Sequence, residues 1–215
     1  MATTLKIWVC LGTAALMTLW LATAWMAADA AEDAGAVDVV VPAGQSGAGT
    51  PIAAGGSATT FSLLPPAGAS CSGTSIDGYF QHTFIVPVGT EPGAVTFGRF
   101  GPDVGLALLQ GSAPASGINV ATDPPGLITN LGPFNLGAWT AADLPEGEYL
   151  VGMACVIGPA GPDHVDRFWS GDLTIRHDDA DPAGFVWSRA TPPSSTTSTS
   201  TTSSSSTTSS SSTTS

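Results

Sequence analysis

Apolar residues recur at every second position in short runs, and clusters of glycine and proline separate the runs. In Tyr79–Val86, one face carries Phe80, His82, Phe84 and Val86, and the other carries Tyr79, Gln81, Thr83 and Ile85. Glu148–Ile157 has Tyr149, Val151, Met153 and Cys155 on one side and Leu150, Gly152, Ala154 and Val156 on the other. A strand that is apolar on both faces must be covered twice, so this run is expected at the centre of a sheet. Phe168–Ile175 brings Trp169, Leu173 and Ile175 onto one face. Thr59–Leu64, Val95–Phe97, Val104–Gln110, Ile118–Thr122, Leu127–Leu131 and Phe185–Trp187 are shorter runs of the same kind. No 3.6-residue period persists for three turns between them. Pro65-Pro66, Pro124-Pro125, Gly158-Pro159 and Gly161-Pro162 are boundaries that a helix does not cross. Many short strands between turn signals predict an all-β sandwich or barrel over residues 58–189.

Two segments stand outside this pattern. Lys6 precedes an uncharged apolar run, Ile7–Ala28, which is expected to be helical. A positive flank, an apolar stretch and the small-x-small site Ala28-Asp29-Ala30 describe a secretory signal cleaved after Ala30. The run is also long enough to span a bilayer, so an uncleaved membrane anchor is the competing reading of residues 1–30. At the other end, Ser194–Ser215 contains only serine and threonine, after Thr191-Pro192-Pro193. With no apolar side chain to bury, residues 190–215 have nothing to offset the cost of ordering the backbone, about 1–2 kcal/mol per residue. This composition reads as a disordered, O-glycosylated stalk or as a plain linker. Residues 31–57 are rich in Ala, Gly, Ser and Asp and read as a flexible leader. Val37–Val41 within them is either a first strand or an extended stretch.

Charge narrows the field. The chain has 17 acidic and 5 basic residues, a net charge of −12. Cleavage after Ala30 removes one of each, Lys6 and Asp29, and leaves that balance unchanged. Nucleic acid and anionic membrane surfaces need basic patches, so neither is an expected partner. Membrane contact is expected only through the N-terminal segment if it stays attached. Lys6 is the only lysine. A processed chain therefore has no lysine for an isopeptide crosslink, a Ser-x-x-Lys pair or a Schiff base.

Once Cys10 leaves with the signal, Cys71 and Cys155 remain, and an even pair in an exported chain reads as a disulfide. Such a bridge closes a loop for which the chain-entropy model gives about 4.5 kcal/mol. Leu144-Pro145-Glu146-Gly147-Glu148-Tyr149 opens the strongest strand and resembles the tyrosine corner of immunoglobulin-like sandwiches. Cys155 follows Tyr149 by six residues rather than two, unlike antibody domains. These features form an ordered series: Cys71-Ser72-Gly73, Gly78-Tyr79, Thr83–Pro87, Leu144–Cys155, Phe168-Trp169 and Asp181–Trp187. The series resembles actinobacterial exported surface domains with an immunoglobulin-like antiparallel β-sandwich, often followed by Ser/Thr-rich stalks. The resemblance implies fold and location and carries no activity.

Candidate chemistry is sparse. His82 lies mid-strand, where a hydrogen-bonded residue is a commoner role than a metal ligand. Asp163-His164-x-Asp166 and His177-Asp178-Asp179-x-Asp181 are oxygen-rich loops of the kind that can hold calcium, but they lack the EF-hand spacing and its final glutamate. Gly68-Ala69-Ser70-Cys71-Ser72 lacks the last glycine of a nucleophile elbow. Trp139, Trp169 and Trp187 are either core residues or rings that stack on sugars. No catalytic set, metal or cofactor is expected. The leading expectation is a secreted or cell-surface structural or adhesive domain whose partner is an unidentified envelope component or extracellular ligand. A carbohydrate- or ligand-binding module is the second expectation and a secreted hydrolase the third.

Overall fold

The computed structural model describes residues 31–128, 131–158 and 164–189. The signal or anchor segment and the Ser/Thr tail lie outside the described residues, as does Asp163. Among the described residues, no helix is long and apolar enough to cross a membrane. The strands in chain order are β1 (Glu32–Ala36), β2 (Asp38–Val40), β3 (Ala54–Gly56), β4 (Ser62–Leu64), β5 (Tyr79–Pro87), β6 (Phe97–Gly98) and β7 (Gly101–Pro102). They continue with β8 (Leu109–Gln110), β9 (Ala113–Pro114), β10 (Ile118–Asn119), β11 (Gly147–Ile157), β12 (His164–His177) and β13 (Phe185–Ser188).

One sheet dominates, in the order β10-β5-β11-β12-β13-β3, and it curls into half a barrel. β11 is central, with Met153 opposite Thr83 of β5 on one side and Trp169 of β12 on the other. Neighbours along this path are antiparallel. β12 is long enough to take two partners on its far edge. β1 pairs parallel to it from Arg167 to Ser170, and β13 pairs antiparallel from Thr174 to His177.

The two apolar faces of β11 have separate uses. On the concave side, Val151, Met153 and Cys155 pack with Trp169, Leu173 and Ile175. Val37, Val39, Phe61, Leu63, Phe134 and Leu136 close this core from the opposite side. The closing side is held by the β2–β4 ladder, in which Val39 is opposite Leu63, and by a bridge between Phe61 and Phe134. On the convex side, Phe84, Val86, Ala154, Val156 and Phe168 lie under Val95 and Phe97. Each fully buried side chain of this size contributes about 1.5–3 kcal/mol. A bulge in β12 opposite Cys155 and Val156 keeps Val165 on the convex side while Trp169 reaches the concave core. Gly152 interrupts the apolar alternation for a steric reason. A Cβ there would overlap the Trp169 carbonyl oxygen and lie 2.6 Å from Phe84 Cζ.

Residues 31–57 are not a free leader: they supply β1, β2 and β3. β1 has the sequence Glu-Asp-Ala-Gly-Ala, with no apolar alternation. Backbone pairing holds it, together with an ion pair of 3.1 Å between Glu32 and Arg167. β3 is Ala-Gly-Gly because neighbours press on it, and a Cβ on Gly55 would lie 2.7 Å from the Thr59 side chain. Pairing driven by backbone leaves no hydrophobic signature in sequence. Arg189 closes the domain: its amide donates to the Ala53 carbonyl at 2.8 Å and its guanidinium to Asp38 at 2.9 Å.

Candidate functional site

Cys71 and Cys155 form a disulfide, with Cα atoms 5.4 Å apart. It ties a loop on the closing side of the core to the central strand of the sheet. The Cys71 amide donates to the Gly126 carbonyl at 2.9 Å. Arg167, three pairs from the middle of β12, secures the same junction. Its guanidinium donates to Ser72 Oγ at 2.7 Å and to the Ser70 carbonyl at 3.4 Å, while pairing with Glu32 on β1. One arginine thus fastens both the disulfide loop and the first strand.

At the opposite end of β11, Tyr149 Oη donates to the Pro145 carbonyl at 2.7 Å. Burial raises the Tyr149 pKa and so favours the protonated phenol that this bond requires.

His82 is the buried histidine, on the convex face of β5. Its Nδ1 accepts from the Gly117 amide at 3.3 Å and lies 2.5 Å from Ser116 Oγ. An acceptor at Nδ1 places the ring proton on Nε2. That atom is buried without a hydrogen-bond partner and the ring faces Phe97, with centroids 5.0 Å apart. Burial lowers the His82 pKa to about 4. A serine beside a histidine is two-thirds of an acyl-transfer set, but the remaining requirements are missing. No carboxylate orients Nε2, and a ring titrating near 4 is a weak base at neutral pH. The pair instead anchors the Ser116–Gly117 turn to the sheet.

The tryptophans are not a platform. Trp169 and Trp187 are buried at 3% and 1% exposure, and Trp139 is half-buried against the same core. Trp187 Nε1 donates inward to the Gly56 carbonyl at 3.0 Å.

The carboxylates have a use that sequence inspection missed. Asp77 accepts from both the amide and the hydroxyl of Thr74, at 2.9 and 2.7 Å. Asp143 does the same with Thr140, at 2.9 and 2.8 Å. The Thr-x-x-Asp spacing is a capping box on a tight turn, and it was available in the sequence. These bonds hold both carboxyls below the usual aspartate range. In the His177–Asp181 loop, Asp181 accepts the Ser57 amide on one oxygen and the Ala183 amide on the other, both at 2.9 Å. Asp178 accepts the Ala180 amide, and Asp179 meets the exposed His177 ring at 2.9 Å. The oxygens of this loop therefore point at its own backbone and at the chain before β4. Among the described residues, no three His, Cys, Asp or Glu side chains converge.

Two shallow hollows open on the surface. One, of about 390 Å³, lies over β3 and β13 beside Arg176 and Val186. The other, of about 520 Å³, lies beside the start of β1 and is lined by Ala31, Asp33, Glu91, Leu150 and Phe168 among others. Neither contains a histidine. No family model, curated protein or solved structure matches the chain.

Proposed function

We propose that the chain is an exported, non-enzymatic, immunoglobulin-like sandwich domain with a structural or adhesive role in the cell envelope. The carrying observation is the Cys71–Cys155 bridge, because a disulfide joining residues 84 positions apart suits an oxidising compartment. The Tyr149–Pro145 hydrogen bond has the geometry of a tyrosine corner, which supports the immunoglobulin-like assignment and its likeness to actinobacterial surface domains. The apolar segment before Ala31 supplies export, and the Ser/Thr tail supplies a polar stalk, which glycosylation would stiffen. The partner is an envelope component or extracellular ligand, met outside the cell.

Burial of Trp169 and Trp187 favours this reading over sugar stacking on the aromatic trio, and the incomplete Ser116–His82 pair favours it over hydrolysis. The test is protease treatment of intact cells producing the full chain, followed by a thiol count on the released domain. A protected, reduced chain inside the cell overturns the proposal. An externally cleaved, fully oxidised domain that also retains whole-cell adhesion supports it.

A further inference from the structure

The hollow at the start of β1 has two carboxylates, Asp33 and Glu91, and its lining residues include no cationic side chain. Asp33 is partly engaged by the Gly35 amide at 3.0 Å. The nearest arginine along the chain pairing is Arg167, which is opposite Glu32 and pairs with it at 3.1 Å without lining the hollow, and no salt bridge reaches Glu91 among the described residues. Ala31 lines the same hollow and packs against the cluster containing Phe168. The fit is close. A Cβ on Gly93 would lie 2.6 Å from Ala31 Cβ, and 3.7 Å from both Ala31 Cα and Glu91 Oε1. Ala31 and the Glu91 carboxylate are thus both packed close to Gly93, where only a glycine fits without displacing Ala31.

We propose that this hollow receives the α-ammonium created by cleavage after Ala30. The inference rests on the export reading, because an uncut chain has a neutral peptide at Ala31 where the processed chain has a charge. Glu91 is then the partner of the new N-terminus, with Asp33 adding to the field. A free α-amino group titrates near 7.7–8.0 and is a cation at neutral pH. β1 begins one residue later and is already paired in the sheet. A signal peptidase needs an extended, accessible strand at its cut site, so cleavage precedes docking. Because β1 is paired in the uncut chain as well, what cleavage adds is the charge at Ala31 and its attraction to Glu91.

The absence of lysine beyond Lys6 makes this directly measurable, because the α-amine is then the one amine of the processed chain. The exported full chain is treated with limiting acetylating reagent at pH 7, and the N-terminal peptide is followed by mass. One acetyl group, on Ala31, is expected. An ion pair at an exposed site is worth about 0.7 kcal/mol, so Glu91→Gln should speed the reaction about threefold. Gly93→Ala, which crowds Ala31 out of its seat, should speed it similarly. Equal rates in the wild type and both variants overturn the docking while leaving the cleavage intact. Acetyl groups on both Met1 and Lys6 overturn the cleavage, and the docking with it.

Discussion

Acidification should destabilise this protein well before its carboxylates are protonated, through His82. The folded ring titrates near 4, below the 6.5 of a free imidazole, because burial penalises its charged form. As pH falls, the unfolded chain takes up the proton first. The stability at stake is full above about pH 7.5, declines as pH drops through 6.5, and is gone once the folded ring itself titrates near 4. The whole shift corresponds to about 3 kcal/mol, of which about 2 kcal/mol is lost by pH 5. For a domain of this size that is a fall in Tm of about 4–8 °C. The capping aspartates act in a different window. Asp77, Asp143 and Asp181 have lowered pKa values, so their contribution persists down to about pH 4 and disappears below it. His82→Asn separates the two, because its side-chain oxygen can accept the Gly117 amide but cannot titrate. Thermal melts from pH 8 to 5 should show a steep Tm decline in the wild type and a shallow one in the variant. Parallel declines would refute the assignment of this term to His82.

Three further outcomes follow from the fold. Replacing both cysteines by alanine releases a constraint spanning 84 residues and should cost about 4 kcal/mol, read as a lower denaturation midpoint with an unchanged native circular dichroism spectrum. Gly152→Ala drives a methyl group into Phe84 and the Trp169 carbonyl and should cost about 3 kcal/mol, whereas Gly44→Ala, with no atom within 4 Å of its Cβ position, should cost less despite its positive φ. Tyr149→Phe keeps the ring and loses the bond to Pro145, so it should cost about 1 kcal/mol by chemical denaturation.

The legible parts of this fold are those driven by side-chain burial. The double-sided pattern of Glu148–Ile157 foretold a central strand, and β11 lies between β5 and β12. The Cys71–Cys155 pairing was read from a count of two and is present. β1 and β3 were invisible because their pairing uses backbone groups and small residues. Leu127–Leu131 shows the opposite limit: it reads as a strand, yet among its described residues only Leu127 forms a bridge, to Ser70. The candidate site was less legible, because a histidine in a strand pattern does not reveal that its partner is Ser116, 34 residues away. Only the fold brings that turn to β5.

The arrangement of burial also limits where any partner could dock. Both faces of the β5–β11–β12 centre are covered, the concave one by β2 and β4 and the convex one by Val95 and Phe97. A ligand cannot spread across the concave face without displacing part of a core worth several kcal/mol, whereas the convex face opens at the hollow beside Leu150 and Phe168. Of the acidic residues, Asp77, Asp143, Asp178 and Asp181 are each engaged by nearby amides, whereas Asp33 and Glu91 border the hollow at the start of β1. Besides the two surface hollows, the rim offers contact: the exposed Phe100 at the β6–β7 hairpin, with the Arg99 guanidinium 5.7 Å from its ring, and Ile76 on the turn before β5. Under the proposed adhesive role, contacts this small would gain strength from many copies acting together.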